Sequence, residues 1–298
     1  MPAVLAVAVL VVAVLGGAGC GSSAKNGATG RVVRVVAAEN FWGNIAGQLG
    51  GVHAAVTSII SDPTADPHQY ESNARNAASV ADARIVIENG AGYDDFVSKL
   101  LAGTSNGSRT VLSVQQLLHA TGDDVNPHFW YDVPRVPEVA GAIERALASA
   151  DPADAAGFAA NLKTFDASLA PIDALIAEIK TKHPRAPVAY TERVPGYLLD
   201  AAGLTIATPP GFARAIEDGN EPSAGDTHAM NDLVSGHRIK ALLYNAQATS
   251  AVTQHVQDVA RRGGIPVIAV TETQPRDEAT YQSWQQHQLQ ALLTALGG

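Results

Sequence analysis

The feature that most constrains the fold is a repeated alternation of short β-rich runs with longer helical patterns. Parallel strands need a helix-length crossover between them, so this alternation predicts parallel α/β sheets. The eight predicted strands cover residues 32–37, 55–60, 84–88, 110–114, 187–191, 204–207, 240–244 and 266–271. The predicted helices of the first half lie near 40–50, 71–82, 92–101 and 114–119, followed by one that starts at Asp132-Val-Pro134.

The middle of the chain carries one long helical pattern, from residue 152 to about residue 182. Apolar residues recur there at steps of three and four, which predicts a helix about 45 Å long. Pro171 falls inside this pattern, and we expect it to kink the helix. The sequence thus predicts two α/β lobes with mainly parallel sheets, joined by one long helix. The predicted boundaries are 31–150 for the first lobe, 151–183 for the helix and 184–298 for the second lobe, which ends in a helix over 277–296.

The first 19 residues are an apolar, uncharged run of signal-peptide length that ends in small residues. The apolar run itself, residues 1–15, is shorter than a membrane-spanning helix requires. Cys20 is the only cysteine, and its position after these small residues resembles a lipobox, although Gly17 stands where Leu is usual. The resemblance implies a signal peptide at 1–19, acylation of Cys20 and a linker at 20–30. The alternative is an ordinary secretory signal in which Cys20 is incidental.

The charge pattern excludes some partners. The formal net charge is −9, and no run of Lys and Arg is longer than a pair. Such a chain offers no basic surface for phosphate backbones, so we expect no nucleic-acid partner.

Four polar residues follow predicted strands closely. His68 follows the second strand, His128 lies in Asn-Pro-His-Phe-Trp-Tyr-Asp, and Glu192 and Glu272 come directly after the strands that end at 191 and 271. Ligands of open α/β sheets bind beyond the carboxyl ends of the strands. Two imidazoles and two carboxylates, two in each lobe, are donors that a divalent transition metal would take. A closed set of four donors favours holding a metal over catalysis.

The other histidines lack this placement, and we interpret them as surface or structural residues. They are His53, His119, His183, His228, His237, His255 and His287.

Several further segments carry a family resemblance that covers essentially the whole mature chain. They are 38–43 (AENFWG), 62–71, 81–90 (ADARIVIENG), 126–132 (NPHFWYD), Gly196-Tyr197, Glu221-Pro-Ser223 and 270–272 (VTE). The chain resembles the metal-binding receptors of zinc and manganese ABC importers, solute-binding lipoproteins with a rigid helix between two lobes.

The resemblance carries the first two histidine ligands onto His68 and His128, the third ligand onto Glu192 and the fourth, usually Asp, onto Glu272. It implies an extracytoplasmic receptor, anchored to the cell membrane by lipid at Cys20 and monomeric, that delivers its metal to an ABC permease with its ATPase.

The residues leave the choice of metal open. Many zinc members carry a long His-rich loop between the first two ligands, whereas here the corresponding stretch is only 119–125. Two nitrogens and two oxygens favour Mn²⁺ or Fe²⁺, while the general affinity order favours Zn²⁺.

Two other functions are compatible with parts of the sequence. An extracytoplasmic metallohydrolase could use Glu192 or Glu272 as general base, but the sequence has no His-Glu-x-x-His motif. A surface adhesin on the same scaffold could coexist with metal binding. We therefore expect a receptor, not an enzyme.

Overall fold

The computed structural model describes residues 32–62 and 70–297. The predicted signal peptide, the linker with Cys20, and His68 lie outside the described residues. Within the described ranges, every helix is too short or too polar to cross a membrane.

The first half of the described chain forms a parallel sheet of four strands in the order β2-β1-β3-β4. The central strand β1 is almost entirely buried, as expected for a parallel strand covered by helices on both faces. The elements of this lobe are β1 (Val33–Glu39), α1 (Asn40–Gly50), β2 (Ala54–Ile60), α2 (Ala74–Asp82), β3 (Ile85–Glu88), α3 (Asp95–Gly103), β4 (Thr110–Ser113) and α4 (Val114–Leu117).

Three helices lead from the first sheet to the second: α5 (Val136–Ala150), α6 (Ala155–Ser168) and α7 (Ala170–Lys182). The helix predicted over 152–182 is divided at Leu169, and a 3-10 turn occupies 152–154. Pro171 lies in the first turn of α7, where its missing N–H removes no helical hydrogen bond. The proline therefore starts a new helix and does not lie inside one.

The second half forms another parallel sheet, in the order β6-β5-β7-β8. The predicted fold class, two lobes with parallel sheets and a helical connection, is confirmed. The remaining elements are β5 (Pro187–Tyr190), α8 (Gly196–Ala201), β6 (Thr205–Ile206), α9 (Pro210–Glu217), α10 (Ala224–Ser235), β7 (Leu242–Asn245), α11 (Ala251–Arg262), β8 (Val267–Val270) and α12 (Tyr281–Ala295).

Side-chain caps explain where two helices start later than predicted. The side chain of Asn73 accepts hydrogen bonds from the backbone N–H groups of Arg75 and Asn76, so α2 begins at Ala74 and not at residue 71. Thr280 caps α12 in the same way, through the N–H of Ser283. Each cap satisfies N–H groups that a helix leaves without an internal partner.

The expected helix start at Asp132 is wrong in detail. Residues 133–135 form a 3-10 turn, α5 begins at Val136, and the Asp132 carboxylate makes no cap.

One buried apolar cluster extends through both lobes and includes side chains from both sheets. Phe41 of α1 stacks on Trp130, with ring centroids 4.1 Å apart, and also approaches Trp284 of α12 at 6.3 Å. α7 and α12 pack against each other along the connection. Because apolar contacts continue from one lobe into the other, bending between the lobes would expose buried surface.

Candidate metal site

The second sheet places three polar side chains at the ends of three neighbouring strands. Glu192 lies two residues after β5, Asn245 is the last residue of β7, and Glu272 lies two residues after β8. The order β5-β7-β8 puts Asn245 between the two glutamates. All three residues are buried, with at most 2% of their surface exposed.

His128 approaches the same point from the first lobe. It is fully buried and immediately precedes a 3-10 turn at Phe129–Tyr131. One ligand atom from each of His128, Glu192 and Glu272 lies within 4.8 Å of the other two, and His128 Nε2 is 3.8 Å from Glu272 Oε2. The structure thus brings together three of the four predicted donors, from both lobes. The fourth, His68, falls outside the described residues.

Asn126 determines which nitrogen of the neutral His128 ring carries the proton. Its Oδ1 lies 2.6 Å from His128 Nδ1, and its Nδ2 donates to the carbonyl of Arg193 at 3.0 Å, which fixes the orientation of the amide. Because an amide oxygen only accepts, Nδ1 of His128 carries the proton, and in the neutral ring Nε2 offers a lone pair on the side of the glutamates. Such a partner orients a metal-binding imidazole and fixes its tautomer.

Asn245 holds the two glutamates together. Its Nδ2 donates to Glu192 Oε2 at 2.7 Å and to Glu272 Oε1 at 2.5 Å, so both amide hydrogens are used. Two buried carboxylates side by side repel each other, and hydrogen bonds to their charged forms offset that repulsion. A divalent cation would offset it further.

The backbone beside Glu272 is held by Gln247. The side-chain oxygen of Gln247 accepts hydrogen bonds from the N–H groups of Glu272, at 2.6 Å, and Thr273, at 3.1 Å. Its amide nitrogen donates to Thr273 Oγ1 at 2.8 Å. The segment after β8 is therefore fixed before any ligand binds.

Tyr93 of the first lobe supplies one more contact to the acid pair. Its hydroxyl donates to Glu272 Oε2 at 2.8 Å, and burial, reinforced by the charge of Glu272, raises the pKa of the phenol well above its usual range. Tyr93 therefore stays a hydrogen-bond donor throughout the physiological pH range.

The loop that carries Tyr93 is organised by Asp94. Its carboxylate accepts from the N–H groups of Asn89, at 2.6 Å, and Gly90, at 2.8 Å. Burial raises the pKa of Asp94 to about 6. Glu39, at the end of β1, is also fully buried, and its pKa is raised by burial and then by the nearby Asp94.

An acidic cavity opens beside the site. It has a volume of about 480 Å³ and is lined by Glu192 together with Glu217, Asp218 and Glu221. Arg193 pairs with Glu217 and Arg214 with Asp218, so the charges of these two acids are largely balanced. Because Glu192 lines the cavity, the cavity connects solvent with one of the buried donors.

Sequence reasoning missed Asn245, Gln247 and Tyr93. The strand-end argument that selected Glu192 and Glu272 applies equally to Asn245, but an amide is a poorer metal ligand than a carboxylate, so its residue type does not indicate a metal site. Tyr93 lies in a loop five residues past β3, and its contact with Glu272 joins residues far apart in the chain.

Comparisons with known proteins agree with this architecture. A family model described as "ZnuA: Zinc-uptake complex component A periplasmic" matches residues 35–295. The manganese-binding lipoprotein MntA of Halalkalibacterium halodurans is 26% identical over 201 residues, covering 66% of this chain and 67% of the relative. The protein of the same name from Bacillus subtilis is 22% identical, over 93% of this chain and 94% of its own length.

Solved structures share the fold. The periplasmic zinc-binding protein TroA from Treponema pallidum superposes with a TM-score of 0.75 at 17% identity, covering 89% of this chain and 99% of that one. A manganese-bound periplasmic metal-binding protein from Candidatus Liberibacter asiaticus, an S38A mutant, gives a TM-score of 0.74 at 18% identity over the same fractions. The family match over nearly all of the described residues confirms the resemblance found in the sequence: this chain belongs to the ZnuA family of receptors for zinc and manganese ABC uptake systems.

Proposed function

We propose that this protein captures a divalent transition metal between its two lobes, with His68, His128, Glu192 and Glu272 as the ligands. The observation that carries the proposal is the buried convergence of donor atoms from His128, Glu192 and Glu272 within 4.8 Å. His68 belongs to the set by its position after β2 and by the family pattern. The metal is cargo and not a resident cofactor.

Manganese and zinc are the proposed cargoes. The relatives named for manganese binding and the family named for zinc uptake support both. Two carboxylates and two imidazoles accept either ion, and Fe²⁺ as well. If either glutamate binds through both of its oxygens, the coordination number rises above four, which suits Mn²⁺ better than Zn²⁺.

The proposal extends to where the receptor works and what it serves. Named relatives are lipoproteins, and the family is described as periplasmic, which supports an extracytoplasmic location. We infer that acylated Cys20 anchors a single chain to the cell membrane. From there the receptor would pass its metal to an ABC permease driven by a separate ATPase.

The buried donor set also favours a receptor over a metallohydrolase. Hydrolytic metal sites keep a coordination position open for water. Here Glu192 and Glu272, the candidate general bases, both accept hydrogen bonds from Asn245, which supports a role as fixed ligands. We assign no catalytic residue.

Calorimetric titration of purified protein with Mn²⁺ and Zn²⁺ tests the site. We expect His128→Ala and Glu272→Gln to abolish the tightest binding event, because each removes one buried donor. His255→Gln, which changes an exposed histidine on α11, is the matched control and should leave that event unchanged. Unaltered affinity for both metals in a His68→Ala, His128→Ala double variant would refute the proposed ligand set.

A further inference from the structure

We propose that the protein has a second divalent-metal site, formed by His53, Asp151 and Asp154 at the end of the first lobe away from the cleft. This inference does not depend on the proposed function of the cleft. The three residues come from two separate parts of the chain, and sequence reasoning gave His53 only a surface or structural role.

Donor atoms of the three residues converge. One ligand atom from each lies within 4.8 Å of the other two, and His53 Nδ1 is 2.6 Å from Asp154 Oδ2. His53 ends a 3-10 turn directly before β2, while Asp151 precedes and Asp154 ends the 3-10 turn at 152–154, between α5 and α6.

Both aspartates occupy positions where the usual role is to cap a helix. Asp151 precedes the 3-10 turn and Asp154 precedes α6, yet neither side chain accepts a hydrogen bond from the backbone of the helix it precedes. Their carboxylates are instead gathered with the ring of His53. Helix capping therefore does not explain why the two acids are placed here.

Asp151 carries the strongest indication of a ligand. The residue is only 7% exposed, and its Oδ2 has no hydrogen-bond partner among residues 32–62 and 70–297. A buried carboxylate oxygen without a partner is costly. The contact between His53 Nδ1 and Asp154 Oδ2 does not satisfy this oxygen, whereas a cation bound among the three side chains would.

The surroundings hold His53 in position. The ring of Phe158 on α6 meets the His53 ring edge to face, with centroids 6.2 Å apart. The side-chain amide of Asn161, one turn further along α6, donates to the carbonyl of Leu49 at 2.8 Å and so ties α6 to the end of α1. The donors thus lie on a braced frame, which lowers the entropy cost of organising a site.

One imidazole nitrogen and two carboxylate oxygens suit Zn²⁺ or Mn²⁺, with water completing the coordination. The side chains of His53 and Asp154 are 28% and 26% exposed, so a bound ion can exchange with solvent.

The second site lies far from the cleft. His53 directly precedes β2, whereas the cleft lies beyond the carboxyl end of β2, and the seven residues of this strand separate the two sites by roughly 20 Å. Each site can therefore be tested while the other is disabled.

The test is Zn²⁺ titration of the full chain with the cleft disabled by His128→Ala and Glu272→Gln. We expect one further equivalent of Zn²⁺ to bind this variant, and we expect its binding to be lost when His53→Gln or Asp151→Asn is added. His255→Gln, added to the same background, is the matched control and should change nothing. Absence of the further equivalent, or its persistence after both added substitutions, would overturn the proposal.

A second measurement keeps the test independent of folding defects in the variants. Crystals of unsubstituted protein, grown with Zn²⁺ and measured at the zinc absorption edge, should show an anomalous peak about 2.0–2.2 Å from the donors of His53, Asp151 and Asp154. A zinc-loaded crystal with no peak at these residues would refute the second site even if the cleft holds metal.

Discussion

The hydroxyl of Tyr93 donates a hydrogen bond to Oε2 of Glu272 at 2.8 Å, linking the loop after β3 to the end of β8. The contact joins the two lobes at the acid pair. It orients one carboxylate and holds it near His128 Nε2, which lies 3.8 Å from the same oxygen. A phenol of the first lobe thus helps to set the geometry of a donor from the second.

Tyr93→Phe should weaken binding of Mn²⁺ and Zn²⁺ by about tenfold or more, the usual effect of losing a partner that orients a metal ligand. The ring still packs 4.9 Å from that of Trp130, so we expect the variant to fold. Competition with a chelator of known affinity measures the loss. Tyr244→Phe, which removes a hydroxyl on β7, is the control; equal losses in both variants would contradict the role given to Tyr93.

Asn245→Ala should lower the free energy of unfolding of the metal-free protein by about 2–4 kcal/mol at neutral pH, because two buried carboxyl groups lose the hydrogen-bond donor that they share. Saturating metal should reduce that deficit, since a cation offsets the same repulsion. Urea unfolding with and without Mn²⁺ measures both effects. Asn231→Ala, on α10, is the control, and a deficit that metal leaves unchanged would count against this account.

Asp94 should make the metal-free protein less stable as the pH rises. Burial raises its pKa from 3.8 to about 6, so the folded protein keeps a proton that the unfolded chain releases. The resulting stabilisation is fully present below pH 3.8 and is lost as the pH rises through 6. The two values imply a change of about 3 kcal/mol.

Urea unfolding in the presence of a chelator, at a series of pH values across that window, tests this expectation. Asp94→Asn should remove the part of the pH dependence of the unfolding free energy that Asp94 causes. Asp95→Asn, at the exposed neighbouring residue, should leave that pH dependence unchanged. If the unfolding free energy of Asp94→Asn depends on pH as steeply as that of the unsubstituted protein, the effect belongs to another group, of which Glu39 is the first candidate.

Replacing Arg193 should destabilise the protein much more than replacing Asp124, although the two residues form one ion pair. Arg193 donates to Glu217 through Nε at 2.7 Å and through Nη2 at 2.6 Å, and Glu217 is only 6% exposed. Arg193→Ala would leave that buried carboxylate without its cation, at a cost of about 3 kcal/mol. Asp124 is 75% exposed, so Asp124→Ala should cost less than about 1 kcal/mol. Thermal unfolding compares the two, and equal costs would refute the distinction.

The strand pattern predicted much of the fold and part of the site. Alternating β runs and helices place polar residues at the same edge of a parallel sheet, and Glu192 and Glu272 do meet there. His128 joins them from the other lobe because Asn126 and the turn that follows hold its ring. The contact of Tyr93 with Glu272 could not be predicted, since it depends on how the lobes pack and not on local spacing.

The helix boundaries show the same limit on a smaller scale. Periodicity located the helical segments, but a single side chain decided where each began. Asn73 and Thr280 do so by capping, and Pro171 does so by lacking an N–H. Asp132 offers a cap by type but does not supply one. The residue type indicates where a helix could begin, and the contacts around that residue determine whether the helix begins there.

The amide of Asn245, placed between Glu192 and Glu272, has a consequence for the valence of the cargo. The amide is neutral, so it steadies the acid pair without cancelling its two negative charges. An ion of charge +2, bound by this pair and neutral imidazoles, balances the charges of the two carboxylates. A monovalent or trivalent ion would leave a net charge away from water, which is unfavourable. Charge balance therefore makes such a receptor select against sodium and ferric ions. Ion size and coordination geometry distinguish one divalent element from another.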